Sequence, residues 1–202
     1  RVELSWEADE VHLREALDAI AADERITDVV LVGSRRPTAH MGRITHAVKL
    51  LDAIPHVRAV RLRCLELVTA PERVSESVVD RLRNLNRLRV VQPKRLEVET
   101  VVLHSSELVD AVAGPVRWLR RGGVTAYATM PLLTGVNDDP GEVVALTHRL
   151  RHLGIEVHHL VVAGLPEQLW WNGERPVSVS RVLDIASAVR RFGSGREVPR
   201  FI

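Results

Sequence analysis

The side chains able to do chemistry are few and scattered. Cys64 is the single cysteine of the chain, so neither an intrachain disulfide nor a cluster held by several thiolates can form on it. At the end of the apolar run "AVRLRC" it reads as a small buried hydrophobe. His158 and His159 are neighbours in a strand, where side chains alternate faces, so the pair is not expected to ligate one metal. His104 follows a strand and faces either a cavity or its own loop. Asp138, in "GVNDDP", could attract an ammonium if the pocket around it is dry. The same four residues, Asn137 to Pro140, also read as a turn and a helix N-cap. Gly33-Ser34-Arg35-Arg36 could hold a phosphate through backbone amides and guanidinium groups, or form a solvated arginine turn. Trp170-Trp171, two of the four tryptophans, suit either a partner surface or a plug over a cavity mouth. No Ser-His-Asp or Cys-His order emerges, so no catalytic residue and no metal ligand is assigned.

These residues must be positioned by a regular alternation of elements. Helical spacing of apolar residues covers 11–20, 42–53, 75–85, 108–121, 140–153 and 178–192. Strand patterns cover the stretch "TDVVLVG" (27–33), 57–62, 96–103, 124–130 and 155–162. Gly122-Gly123 and Gly154 follow helices as C-terminal stops, and runs such as "DVVLVG" and "VHHLVVAG" are nearly all apolar, as strands covered by helices are. Alternation with short connections predicts a parallel sheet wound by right-handed crossovers, with the chemistry in the loops after the strand C-termini. Periodicity alone leaves open whether the sheet is an open, doubly wound one or curls into a barrel. No low-complexity linker interrupts residues 1–202, which read as one domain.

Composition bounds the function classes. The chain has 202 residues, 46% hydrophobic and 27% charged, with 28 basic against 26 acidic side chains. Only Lys49 and Lys94 are lysines. Arg81, Arg83, Arg87 and Arg89 are interspersed with Glu76 and Asp80 without aromatic residues to stack bases, which argues against nucleic-acid binding. No apolar run reaches the ~20 residues of a membrane span, and the lone cysteine and the absence of a signal peptide point to the cytoplasm.

Several segments together resemble one family, the lysine 2,3-aminomutase group of radical S-adenosylmethionine enzymes. "PLLTGVNDDP" (131–140) resembles its "LL-x-GVND", "LLDAIPHVRAVRLR" (50–63) its "L-x-x-IPHV-x-x-VRI" and "SGREVPRF" (194–201) its "SG-x-x-VP-x-F". "RPVS" (175–178) falls at its Pro-Val-Ser helix start, and His104 and Glu107 match the histidine and glutamate of "NHPNE". The resemblance implies an α/β fold, a partial (βα)6 parallel barrel, with its first strand missing from this chain. It further implies S-adenosylmethionine, a [4Fe-4S] cluster on a C-x-x-x-C-x-x-C loop after the first strand, and pyridoxal phosphate on a lysine beyond "VP-x-F". By matching position Asn137 and Asp138 are expected to bind substrate, and Gly33, Ser34 and His104 to face the cofactor.

The departures are as informative as the matches. "SGGD" is replaced by "VGSR" (32–35), where Arg35 would repel an ammonium, and "GSR-x-P" by "RCLEL" (63–67). Gly164 stands where the family has a substrate-binding aspartate. Two expectations follow. The chain is a segment of such an aminomutase, inert alone, cut after the cluster cysteines and before the pyridoxal lysine; alternatively it is a degenerate, non-catalytic barrel serving as a binding subunit or scaffold. A small amino-acid-like substrate is the expected ligand if it is active. An uncovered sheet edge would favour self-association or a partner chain.

Overall fold

A computed structural model describes residues 1–34, 36–87, 94–173, 175–195 and 197–202. Arg35 and Arg89 lie outside them. Seven strands form one sheet in the order β1-β2-β3-β4-β5-β6-β7, every neighbouring pair parallel. They are β1 (Val2–Ser5), β2 (Asp28–Val32), β3 (Ala59–Arg63), β4 (Arg95–Val101), β5 (Thr125–Pro131), β6 (Glu156–Val161) and β7 (Arg200–Phe201). The helices are α1 (Glu10–Ala22), α2 (Met41–Asp52), the short α3 (Glu66–Thr69), α4 (Glu76–Arg87), α5 (Ala113–Arg121), α6 (Pro140–Leu153), α7 (Pro166–Asn172) and α8 (Val179–Phe192).

The strand order decides what periodicity could not. A doubly wound sheet must reverse its strand order at a switch point. Here the order never reverses, and parallel crossovers of one hand then carry every helix to the same face. Packing agrees with this. Val29, Leu31, Val60, Leu62, Leu96, Val98, Ala126, Ala128, Met130 and Leu160 point one way and share a single core with Ile44, Val48 and Leu51 of α2, Leu82 of α4, Leu119 of α5, Leu146 and Leu150 of α6 and Ile185 of α8. The expected α/β parallel partial barrel is what forms. Each fully buried leucine in that layer contributes roughly 1.5–3 kcal/mol.

One expectation needs correcting. The first strand is not missing: Val2, Glu3, Leu4 and Ser5 pair in register with Val29, Val30, Leu31 and Val32, so β1 occupies the edge of β2. Its connection to α1 is only Trp6–Asp9. Asp9 ends it as an N-cap, its carboxylate accepting from the amides of Val11 and His12. Elsewhere the caps lie where sequence placed them. Asp139 caps α6 with Pro140 at its first turn, and Gly154 closes α6 in the left-handed conformation (φ 85°) that only glycine adopts freely. Lys94 lies just before β4 and is buried, its Nζ donating to the carbonyls of Leu51, Asp52 and Ile54 at 3.3, 2.6 and 2.6 Å. It thereby satisfies the C-terminal end of α2.

Candidate active site

The sheet face turned away from the helices is charged, and alternation along β3 and β4 makes it so. Register places Arg61 beside Glu97 and Arg63 beside Glu99. Arg61 Nε donates to Glu97 Oε2 at 2.6 Å, and its Nη2 stands 3.4 Å from Asp28 Oδ1. Glu99, fully buried, accepts from Arg1 through both carboxylate oxygens (2.9 and 2.8 Å) and from Arg63 at 3.2 Å; Arg63 also reaches Glu3 at 2.6 Å. The Arg61 guanidinium lies 5.5 Å from the centre of the Tyr127 ring. Burial, with Glu97 close by, raises the Tyr127 phenol above its ordinary range. The inside of the barrel is thus laced by paired side chains spanning β1 to β5.

At β6 the strand does not alternate as expected. Ala128 pairs with Val157 but Thr129 with His159, so His158 is an extra residue in the ladder. This bulge brings the rings of His158 and His159 to 3.6 Å between centroids, with Tyr127 at 5.2 Å from His158. The inference that the two histidines diverge is therefore overturned. Even so, no group of three histidine, cysteine, aspartate or glutamate side chains converges on a metal position among the described residues. Burial, then the adjacent His159 imidazole and the charges of Arg61, Arg1 and Arg200, hold His158 down at about 4; His159 is lowered as well, first by burial.

At the strand C-termini the expected site residues take these places. Gly33 is exposed at the cleft, and Trp6 packs beside it so closely that a Cβ built there would clash with the indole ring. The Ser34 amide and hydroxyl both donate to Glu7 Oε2, at 2.8 and 3.0 Å. His104 caps a short turn. Its Nδ1 accepts from the Ser106 amide, its Nε2 stands 3.3 Å from Glu142 Oε2, and Glu107 accepts from the amides of Leu103 and His104. Asn137 is fully buried; its Oδ1 accepts from the Leu133 amide at 2.7 Å and its Nδ2 donates to the Pro131 carbonyl at 2.8 Å. It braces its own loop and has no amide atom turned to a substrate. Asp138 Oδ1 accepts from the Gly135 amide at 2.8 Å. Its second oxygen has no hydrogen-bond partner among the described residues.

The tryptophan pair lies on the short helix α7. Gln168 anchors it by donating to the carbonyls of Leu132 and Val161 at 3.1 and 2.7 Å. Trp170 is 81% exposed, so it faces solvent and does not plug the mouth. The Leu165-Pro166 step was the available signal, since proline favours the first turn of a helix. A cleft of about 360 Å³ opens between the loops after β2 and β3, lined among others by Arg36, His40, Arg63, Glu66, Thr69 and Arg73.

A partial parallel barrel with its clefts at the strand C-termini is the architecture of the radical S-adenosylmethionine class. A solved radical SAM methyltransferase from Sphaerobacter thermophilus superposes with a TM-score of 0.58 over 95% of this chain and 55% of its own, at 18% identity. That likeness concerns the fold alone. Among curated proteins, the chain is 25% identical over 190 residues to glutamate 2,3-aminomutase of Clostridioides difficile, covering 94% of this chain and 42% of that one. It is 29% identical over 185 residues to L-lysine 2,3-aminomutase of Haemophilus influenzae, covering 92% and 52%. The chain is a homologue of these lysine and glutamate 2,3-aminomutases, and it spans about half the length of the curated relatives it matches. No protein-family model matches it.

The residues present do not fit the cofactors that this kinship implies. The connection after the first strand, Trp6–Asp9, carries no cysteine. Cys64 is buried, and burial pushes its thiol up to about 12, far from a ready thiolate. The Ser34 amide is taken by Glu7, and Trp6 fills the space beside Gly33 where a Cβ would stand. Of the two lysines, Lys49 is exposed on α2 and Lys94 is held by three carbonyls. No helix among the described residues is long and apolar enough to cross a membrane.

Proposed function

We propose that this chain is a barrel of aminomutase ancestry that works as a small-molecule binding module and forms no radical-generating centre of its own. One observation carries the reading. The place that the family gives to its cluster loop, between the first strand and the first helix, is here the four residues Trp6–Asp9, whose Trp6 and Glu7 rest on Gly33 and Ser34. The alternative, a segment of a working aminomutase cut after its cysteines, places that loop outside this chain. Radical 1,2-amino migration would require three thiolates around one open iron, and this chain offers one buried thiol. Ligand recognition falls to the strand-end loops. There Asp138, with an oxygen to spare, is the residue for a substrate ammonium.

Anaerobic incubation with iron and sulfide tests this, read by iron content and by thiolate-to-iron absorption. The expected result is no stoichiometric cluster and no S-adenosylmethionine binding by calorimetry. Four irons per chain, or tight S-adenosylmethionine binding, would overturn it.

A further inference from the structure

We infer that the cleft between the β2 and β3 loops is a binding site for a small oxyanion-bearing metabolite that also carries a hydroxyl or amino donor. The inference deepens the proposed binding role and rests on it. Among the described residues, Arg36, Arg63, Arg73 and His40 line the cleft, with Glu66 as the acidic one. Arg36 is exposed and engages no side chain among the described residues. Arg73 is tied only loosely, 3.9 Å from Glu66 and 3.9 Å from Glu72. Arg63 gives its Nη2 to Glu3 and Glu99 while its Nε is buried with no hydrogen-bond partner. A planar guanidinium suits carboxylate and phosphate oxygens through paired, charge-assisted hydrogen bonds. Arg36 and Arg73, with the paired Arg63 behind them, give the cleft a basic edge for an oxyanion.

Glu66 supplies the second half of the recognition. It is 5% exposed. Its Oε2 is filled by the amide and hydroxyl of Thr38 at 3.1 and 2.7 Å, whereas its Oε1 is buried with no hydrogen-bond partner. A buried carboxylate oxygen is suited to accept from a ligand donor. A ligand whose oxyanion sits among the arginines and whose hydroxyl or ammonium reaches Glu66 satisfies both. The cleft volume of about 360 Å³ lies at the small end for metabolite sites.

The test is calorimetric titration with glycerol 3-phosphate, malate and succinate, which separate phosphate from carboxylate and, in the last pair, the hydroxyl from its absence. Binding at or below about 1 mM is expected for at least one of the first two. Succinate should bind about tenfold more weakly than malate if malate is a ligand. Arg36→Ala and Arg73→Ala should each weaken binding about tenfold or more, with melting temperatures unchanged because neither side chain supports the core. Arg181→Ala, on the outer helix α8, should leave affinity as it is. Absence of binding by all three probes overturns the inference, as does binding that survives the Arg36/Arg73 double substitution or falls equally in Arg181→Ala. Iron incorporation remains the separate measure of the proposed function, so either idea can fail alone.

Discussion

Replacing Arg61 by methionine probes whether the barrel interior is held by its charges. The Arg61 side chain is 13% exposed and that of its partner Glu97 5%, with 2.6 Å between Nε and Oε2. Methionine fills much of the volume and removes the charge, leaving the Glu97 carboxylate buried and unpaired. Removing one member of such a pair costs about 3–5 kcal/mol. The lost contact with the Tyr127 ring adds roughly 0.5–1 kcal/mol. At about 2–4 °C per kcal/mol for a domain of this size, the melting temperature should fall by roughly 7–24 °C. Two companion measurements isolate the cause. Arg61→Met combined with Glu97→Leu removes both charges and should recover most of the loss, because burying the pair costs desolvation that an apolar pair avoids. The single variant should also regain ground as pH falls, since protonation neutralises the stranded carboxylate. A loss below ~1 kcal/mol in Arg61→Met, or a double variant no more stable than the single one, would refute the claim that this pair is buried and coupled.

Two further outcomes are expected. Gly33→Ala must displace the buried Trp6 ring and should cost about 1–3 kcal/mol by denaturation; combining it with Trp6→Leu should cost less than the two changes added separately, and strict additivity would show that the two residues do not touch. His158 titrates near 6.5 when unfolded and at about 4 when folded, so its contribution is full above about pH 7 and is lost as pH falls from 6.5 towards 4. After discounting for its partial exposure this amounts to ~1–2 kcal/mol, and the His158→Gln variant should lose less stability than the parent between pH 7.5 and pH 5; parallel curves would contradict it.

Much of this was legible in the sequence, and the reasons for the rest are physical. The order of strands from β2 to β6 and of the long helices follows from apolar period and from caps such as Asp139-Pro140 and Gly154, whereas α3, α7 and the two-residue β7 are too short to show a period. The strand β1 escaped because four residues give no measurable period and because Asp9 draws attention only to the helix it starts. The charged interior was written in "RLR" and "RLEVE", where arginine and glutamate alternate with leucine and valine, a pattern outweighed by the apolar runs of β2 and β6. The paired histidines could not be read, since a bulge depends on the partner strand and leaves no mark in its own residues. Asn137 and Asp138 were found by family pattern, which says nothing of how many of their polar atoms the loop itself consumes.

The uninterrupted strand order also bears on how the protein comes into being. In register, each strand lies only some 27 to 36 positions from its partner across β1 to β4, as in Val2 with Val29 and Arg61 with Glu97. No strand must be inserted between two already paired. As the chain leaves the ribosome, each new helix and strand finds a finished edge waiting, and the molecule can be laid down in the order in which it is synthesised.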